Sequence, residues 1–221
     1  MTCVSTLFAQ EEDDFFYVNP DEKESLDLGI RMGYAVNGFY GDLFKSPLPI
    51  TAFTGGVYNR IPLNKSKRLS LYDEISFSFK GVKFKAEGDS AIERINLIYF
   101  EFPICLEYKI KEVKVADKQS VKYRVFFGVQ PAILLRSSLF RNLDKEGIAL
   151  VYGLPIHLMD YALVAGVPVE FPVGYGSMGF SLTFKYGLRN INRDMERFGN
   201  LSNFASGHKF SNWQVALNVT F

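Results

Sequence analysis

The chain is poor in cysteine, histidine and tryptophan, has no long apolar run, and is nearly balanced in charge. Each shortage excludes something. Two cysteines, Cys3 and Cys105, cannot make a disulfide framework. Two isolated histidines, His157 and His208, give no ligand cluster of metal-site spacing. Gly55-Gly56 and Gly174-Tyr175-Gly176 do not form a phosphate-cradling loop and read as backbone freedom only, so no cofactor is expected. A formal charge of +1 offers no electrostatic reason for a nucleic-acid partner. No stretch approaches the roughly 18 consecutive apolar residues of a transmembrane helix. That excludes a helical span and is silent on a β-barrel, whose signal is spread over short alternating segments.

Aromatic residues and alternation are what the chain has in quantity, with 21 Phe and 12 Tyr among 221 residues. The last stretch is the plainest. Trp213, Val215, Leu217, Val219 and Phe221 share one parity, and Gln214, Ala216, Asn218 and Thr220 the other. Side chains alternate across a strand, so this is a strand with one greasy face and one wet face. Seven earlier stretches repeat the pattern: Leu28–Asn37, Thr51–Leu63, Leu69–Lys80, Asn96–Ile110, Tyr123–Arg136, Tyr161–Phe171 and Met178–Arg189. After Gly81 the parity of the apolar residues changes at Val82, which reads as a bulge or the base of a loop. Connections after the first, third, fifth and seventh strands are long, those after the second and sixth short, and the one after the fourth intermediate. An even number of strands of about ten residues, with alternately short and long connections, predicts an all-β, eight-stranded, up-and-down antiparallel transmembrane barrel in a bacterial outer membrane.

Ahead of the barrel, Met1–Gln10 looks like the back half of a secretory signal, with Val4–Ala9 as a short apolar run and Ala9 at the cleavage point. Residues 11–27 form an acidic and aromatic lead-in, and residues 28–221 the barrel domain.

The wet face carries Arg31, Arg60, Glu74, Glu101, Glu107, Arg124, Glu170 and Lys185, four acids and four bases. It also carries Gly29, Gly33, Gly128, Gly166, Gly179 and Gly187. An eight-stranded barrel is narrow inside. Small residues and mutually neutralising charges suit such a lumen, and buried charges require that pairing. Tyr34, Tyr108, Tyr123, Tyr161 and Tyr186 lie at or near strand ends on the greasy face, as an interfacial girdle would. The alternative is a soluble ligand-binding barrel with the greasy face inward and these charges in water.

Three further features bear on function. Pro103, Pro131 and Pro168 fall inside three successive strands and each removes a ladder donor, which makes bulges or a weak stretch of the wall. The long loops hold Phe39, Phe44, Leu150, Val151, Ile156, Phe198 and Phe204, which either pack over the mouth or meet a partner. His157 with Asp160, and His208 with Ser206, Asp194 and Glu196, are loop residues whose spacing fixes no catalytic geometry. No catalytic set is therefore assigned, and a lipid-modifying enzyme is the alternative function.

Several segments carry a family resemblance. Tyr99-Phe100-Glu101-Phe102-Pro103-Ile104-Cys105-Leu106-Glu107-Tyr108, Phe127–Leu135, Tyr186-Gly187-Leu188-Arg189-Asn190-Ile191 and the terminal Phe221 resemble the small outer-membrane barrels of Bacteroidetes called the PorT-like family. The signal is shorter than that family's, and Glu107 stands where a base is common. The resemblance implies an outer-membrane location, contact with outer-membrane lipid, and insertion by the barrel-assembly machinery, with Trp213 and Phe221 as the assembly signal. It also implies a structural or accessory role toward an envelope or secretion-complex protein, played through the external loops.

Overall fold

The fold is a closed antiparallel ring. In a computed structural model, the structure describes residues 27–41, 47–85, 92–116, 119–143, 147–152, 154, 156–173, 176–191 and 210–221. The signal-like residues and almost all of the lead-in lie outside them. The strands are β1 (Asp27–Gly41), β2 (Leu48–Pro62), β3 (Leu69–Lys85), β4 (Ile92–Glu101), β5 (Ile104–Ala116), β6 (Gln119–Leu143), β7 (Gly147–Tyr152), β8 (Met159–Val173), β9 (Gly176–Gly187) and β10 (Phe210–Thr220). No helix occurs among the described residues.

Ten strands make eight staves. β4 and β5 are halves of one stave, because both keep the same register against β3: Ser76 faces Glu101, and Asp73 faces Ile104. The break falls on Phe102-Pro103, where proline has no N–H to give. The predicted fourth strand is therefore correct in span and interrupted in its middle. β7 lies off the ring and pairs only with the far end of β6. The connection after the fifth predicted strand, expected as a long loop, thus contains the hairpin of β6 and β7. The ring closes where β10 pairs with β1, Trp213 facing Gly38 and Thr220 facing Arg31. The backbone of Phe221 completes the closure, donating to Ile30 O at 2.9 Å and accepting from Ile30 N at 3.0 Å.

Alternation is obeyed with its polarity turned outward. Leu217 is 61% exposed and Phe127 60%, while the inward Glu101, Asn218 and Gln214 are 0% exposed. Every stave shows exposed apolar residues along its outer face. A soluble barrel would bury that face and expose the charges, so the soluble alternative is overturned.

The parity change at Val82 is not a bulge. β3 runs without a register shift against β4 from Ser76 to Lys85, and its even residues point inward throughout. Chemistry changes along the stave, not geometry. Near one end of the barrel, Val82, Phe84, Ile95, Leu97, Tyr99 and Leu139 turn inward and pack with Phe39, Ala132, Leu154, Ile156 and Ile191. Lys83 points outward there. Below, the wall is greasy outside and polar inside; above, it has the ordinary polarity of a water-soluble core. The register shifts lie elsewhere, between Ile98 and Tyr99 of β4 against β6, between Pro49 and Thr54 of β2, and near Lys109 and Lys114 of β5. At the first of these, Leu135 is the extra residue, and inward positions on β6 pass from even to odd.

The apolar cluster marks the loop end of the barrel. The opposite, turn end holds the start of β1, Phe221 and the short β2–β3, β5–β6 and β8–β9 connections. At the β2–β3 turn, Lys67 takes the left-handed conformation (φ 52°), and Asn64 Oδ1 accepts from the N–H groups of Arg68 and Leu69.

Candidate functional site

The inward face is the candidate site, since all eight charges expected on it are buried there. Alternation brings them together in groups ordered along the staves. At the turn end, Arg60 meets Glu107 through Nε at 2.5 Å, Glu170 through Nη2 at 2.7 Å and Asp27 through Nη1 at 2.6 Å. Arg124 reaches the same two glutamates, at 2.6 and 3.3 Å. Two guanidinium forks thus clamp two carboxylates, a geometry that suits arginine rather than lysine. A void of about 10 Å³, room for a single water, borders Arg31, Arg60, Glu107 and Glu170.

An aromatic stack follows. Tyr58, Tyr72 and Phe126 lie face to face, with ring centroids 5.6 and 5.3 Å apart. Glycines make the space. A Cβ on Gly29 would lie 2.4 Å from the Tyr58 ring, and one on Gly166 would lie 2.3 Å from the Phe126 ring. Cys105 is buried beside these rings as a free thiol.

Above the stack, Arg31 pairs with Glu74 at 2.7 Å, and Tyr72 donates to the other Glu74 oxygen at 2.6 Å. Glu101 receives two ammonium groups, Lys80 at 2.9 Å and Lys185 at 2.5 Å. Lys80 also stands 4.0 Å from Asp160 and 4.8 Å from the centre of the Tyr99 ring. Asp160 accepts from Asn212 at 2.8 Å. Gln214 donates to Asn37 at 2.7 Å and Ser78 at 3.0 Å. Arg31, Arg60, Lys80, Arg124 and Lys185 face Glu74, Glu101, Glu107, Asp160 and Glu170, five of each sign; half-exposed Asp27 is additional.

Lys80 and Asp160 complete this network and were not in the expected set. Their signal was present: Lys80 shares the parity of Glu74 and Ser78, and Asp160 that of Ala162 and Glu170. Sequence proximity alone groups Asp160 with His157 as loop chemistry. In the structure it is an inward strand residue, while His157 Nδ1 lies 3.3 Å from Arg189 Nη2. His208, Ser206, Asp194 and Glu196 lie outside the described residues. No group of three or more His, Cys, Asp and Glu suited to a metal occurs among the described residues.

The three prolines interrupt three successive ladders. Pro103 faces Glu74, Pro131 faces Phe102, and Pro168 faces Arg124; pairing lapses at each of these places. One bond of each of the first two pairs survives, Glu74 N to Pro103 O at 3.1 Å and Phe102 N to Pro131 O at 2.9 Å. Of the loop residues singled out, Phe39 and Ile156 pack into the loop-end cluster, and Leu150 and Val151 lie on β7. Phe44, Phe198 and Phe204 are outside the described residues. Trp213 sits at the loop end, opposite Gly38, and Phe221 at the turn end.

No curated protein sequence matches the chain. Among solved structures it is similar to Ail of Yersinia pestis, crystallised with the heparin analogue sucrose octasulfate (12% identity, 88% of this chain and 97% of that one, TM-score 0.41). It is also similar to Neisserial surface protein A (9%, 87% and 95%, 0.41) and to OprG of Pseudomonas aeruginosa (12%, 89% and 95%, 0.46). Likeness at that level carries no argument of its own. The model of the outer membrane protein beta-barrel domain, however, matches residues 8–193. With a closed eight-stave ring whose greasy face is outside, the chain belongs to that family of bacterial outer-membrane β-barrel proteins.

Proposed function

We propose that this barrel is a non-conducting wall protein of the PorT-like kind, acting as a structural or accessory element of an envelope or secretion assembly through its loop end. The observation that carries the reading is the filling of the lumen. Two groups of ion pairs, an aromatic stack and an apolar cluster succeed one another along the staves. No catalytic constellation competes with it among the described residues, because Asp160 is engaged by Asn212 and Lys80. The outer face meets lipid, and the loop end meets a companion protein. Affinity purification from detergent-solubilised outer membrane should recover that companion. Its absence, together with altered lipid A in a deletion strain, would favour the lipid-modifying alternative. In planar bilayers the purified barrel should show little or no steady conductance; a large, reproducible conductance would refute the closed lumen.

Two properties of the wall follow from the same reading. Phe221 serves as the residue read by the barrel-assembly machinery. Its backbone bonds survive substitution, so Phe221→Ala isolates the ring. The variant should insert in markedly smaller amounts yet melt like wild type once inserted; normal insertion would remove the role. Second, Pro103, Pro131 and Pro168 form a soft stretch. In hydrogen exchange, amides near Phe102 and Gln130 should exchange faster than those of the β1–β10 pair. Uniformly slow exchange would leave the prolines as shaping features only.

A further inference from the structure

The β5–β6 hairpin outruns its neighbours at the turn end. β3 stops pairing with β5 at Leu69–Tyr108, and the last contact is Lys109 N donating to Arg68 O at 2.7 Å. β8 stops pairing with β6 at Lys122–Glu170. Residues 110–116 and 119–121 therefore form a two-stranded ribbon with neither edge paired to a neighbouring stave. The apolar outer stripe of the wall does not stop with β3. It runs through Ile104, Leu106 and Tyr108 and continues out along the ribbon as Ile110 (58% exposed), Val113 and Val115 (65%).

Charge on this end is one-sided. The β2–β3 turn brings Lys65, Lys67 and Arg68, and the ribbon brings Lys109, Lys111, Lys114 and Lys122. Within these described stretches they face one carboxylate, Glu112, which bonds Lys109 at 2.6 Å and Ser120 at 2.6 Å. The five bases and five acids paired in the lumen cancel, and half-exposed Asp27, bonded to Arg60 at this end, offsets only one of these charges.

We propose that the ribbon and the adjoining β2–β3 turn form a docking surface for the anionic phospholipid headgroups of the membrane leaflet on the turn side. Ile110, Val113 and Val115 continue the apolar wall into the interface with Lys111 on the same face, while Lys114 and Lys122, on the ribbon's other face with Ser120 and Glu112, reach phosphate around its edge and tip. This is the amphipathic arrangement that interfacial segments use. Lysines near a charged bilayer surface add attraction that salt screens. In this family architecture short turns face the periplasm, so the leaflet concerned is the phospholipid one. The bulges near Lys109 and Lys114, together with the lysines, blunt the free edges against pairing with another strand.

The test uses the full-length protein in nanodiscs of equal phosphatidylglycerol and phosphatidylcholine, released for native mass spectrometry. Wild type should retain phosphatidylglycerol over phosphatidylcholine by about tenfold or more, since each interfacial lysine contributes about 1 kcal/mol. Lys111→Gln/Lys114→Gln/Lys122→Gln, which leaves the Lys109–Glu112 pair and the bases of the β2–β3 turn intact, should lower the ratio severalfold, and the matching Lys→Arg set should restore it. A wild-type ratio near one, or a preference unchanged in the Gln variant, overturns the proposal. The rival occupant is the chain's own acidic lead-in, where Glu11, Glu12, Asp13 and Asp14 precede Asp21, Glu22 and Glu24. Carbodiimide cross-links from Lys111, Lys114 or Lys122 to residues 11–24 in the same nanodiscs would assign the surface to that segment and overturn lipid docking.

Discussion

Glu101→Leu should destabilise the inserted barrel by about 3–5 kcal/mol, the cost typical of removing one partner from a buried ion pair. Glu101 is fully buried and holds both Lys80 and Lys185. Without it, Lys80 is left with Asp160 at 4.0 Å, and Lys185 loses the carboxylate it holds at 2.5 Å. The compensating variant separates charge from packing. Glu101→Leu/Lys185→Met leaves Lys80 with Asp160 and restores the balance of the group, so it should recover most of the loss. Urea midpoints in lipid vesicles, followed by the mobility of unheated samples on gels, would give both numbers. A single variant within about 1 kcal/mol of wild type would mean that water, not Glu101, solvates the lysines, contrary to the expectation for a buried pair.

Gly166→Val should cost about 3 kcal/mol, at the upper end of the range for overpacking. A Cβ at that position would lie 2.3, 2.6 and 3.0 Å from three carbons of the Phe126 ring. The ring cannot retreat freely, because Tyr72 stacks on it at 5.3 Å and Tyr58 backs Tyr72. The staves are joined in a closed ring and cannot part to make room. Gly166→Val/Phe126→Leu should regain much of the stability, since the branched side chain would occupy the space the ring leaves. If the single variant unfolds at the wild-type midpoint, the glycine is not there to seat the ring.

Most of the wall could be read from alternation alone, because its inner and outer faces meet such different surroundings. Leu217 and Asn218 differ in burial as completely as their chemistry suggests. The reading failed where the surroundings changed and the geometry did not. Val82 and Phe84 point the same way as Ser78 and Lys80, but above the greasy band an inward residue belongs to an apolar cluster. Periodicity reports hydrophobicity relative to a face, not the face itself. β7 escapes the alternation because it pairs with β6 alone, along the stretch past the Leu135 bulge whose other edge is held by β4. The lumen's charges could be identified as a set, but not their pairs. Arg60 and Glu107 are 47 positions apart and meet because β2 and β5 both flank β3. Lys80 falls on the wet face of the third strand but at its very end, outside a set drawn from mid-strand charges, and Asp160 lies one residue ahead of the predicted sixth strand.

The reversal of polarity along the staves gives one chain two solvents. The band with its apolar residues outward has its reference state in lipid, and its stability follows bilayer thickness and detergent. The loop-end cluster of Phe39, Val82, Phe84, Ile95, Leu97, Leu139 and their neighbours buries apolar surface from water, as a soluble protein does. Urea weakens the second kind of burial directly. The molecule should therefore melt in two stages under denaturant, cap before wall, and lose the cap first on cooling as well. Its outward-reaching end is thermodynamically a small soluble domain carried on a membrane stem.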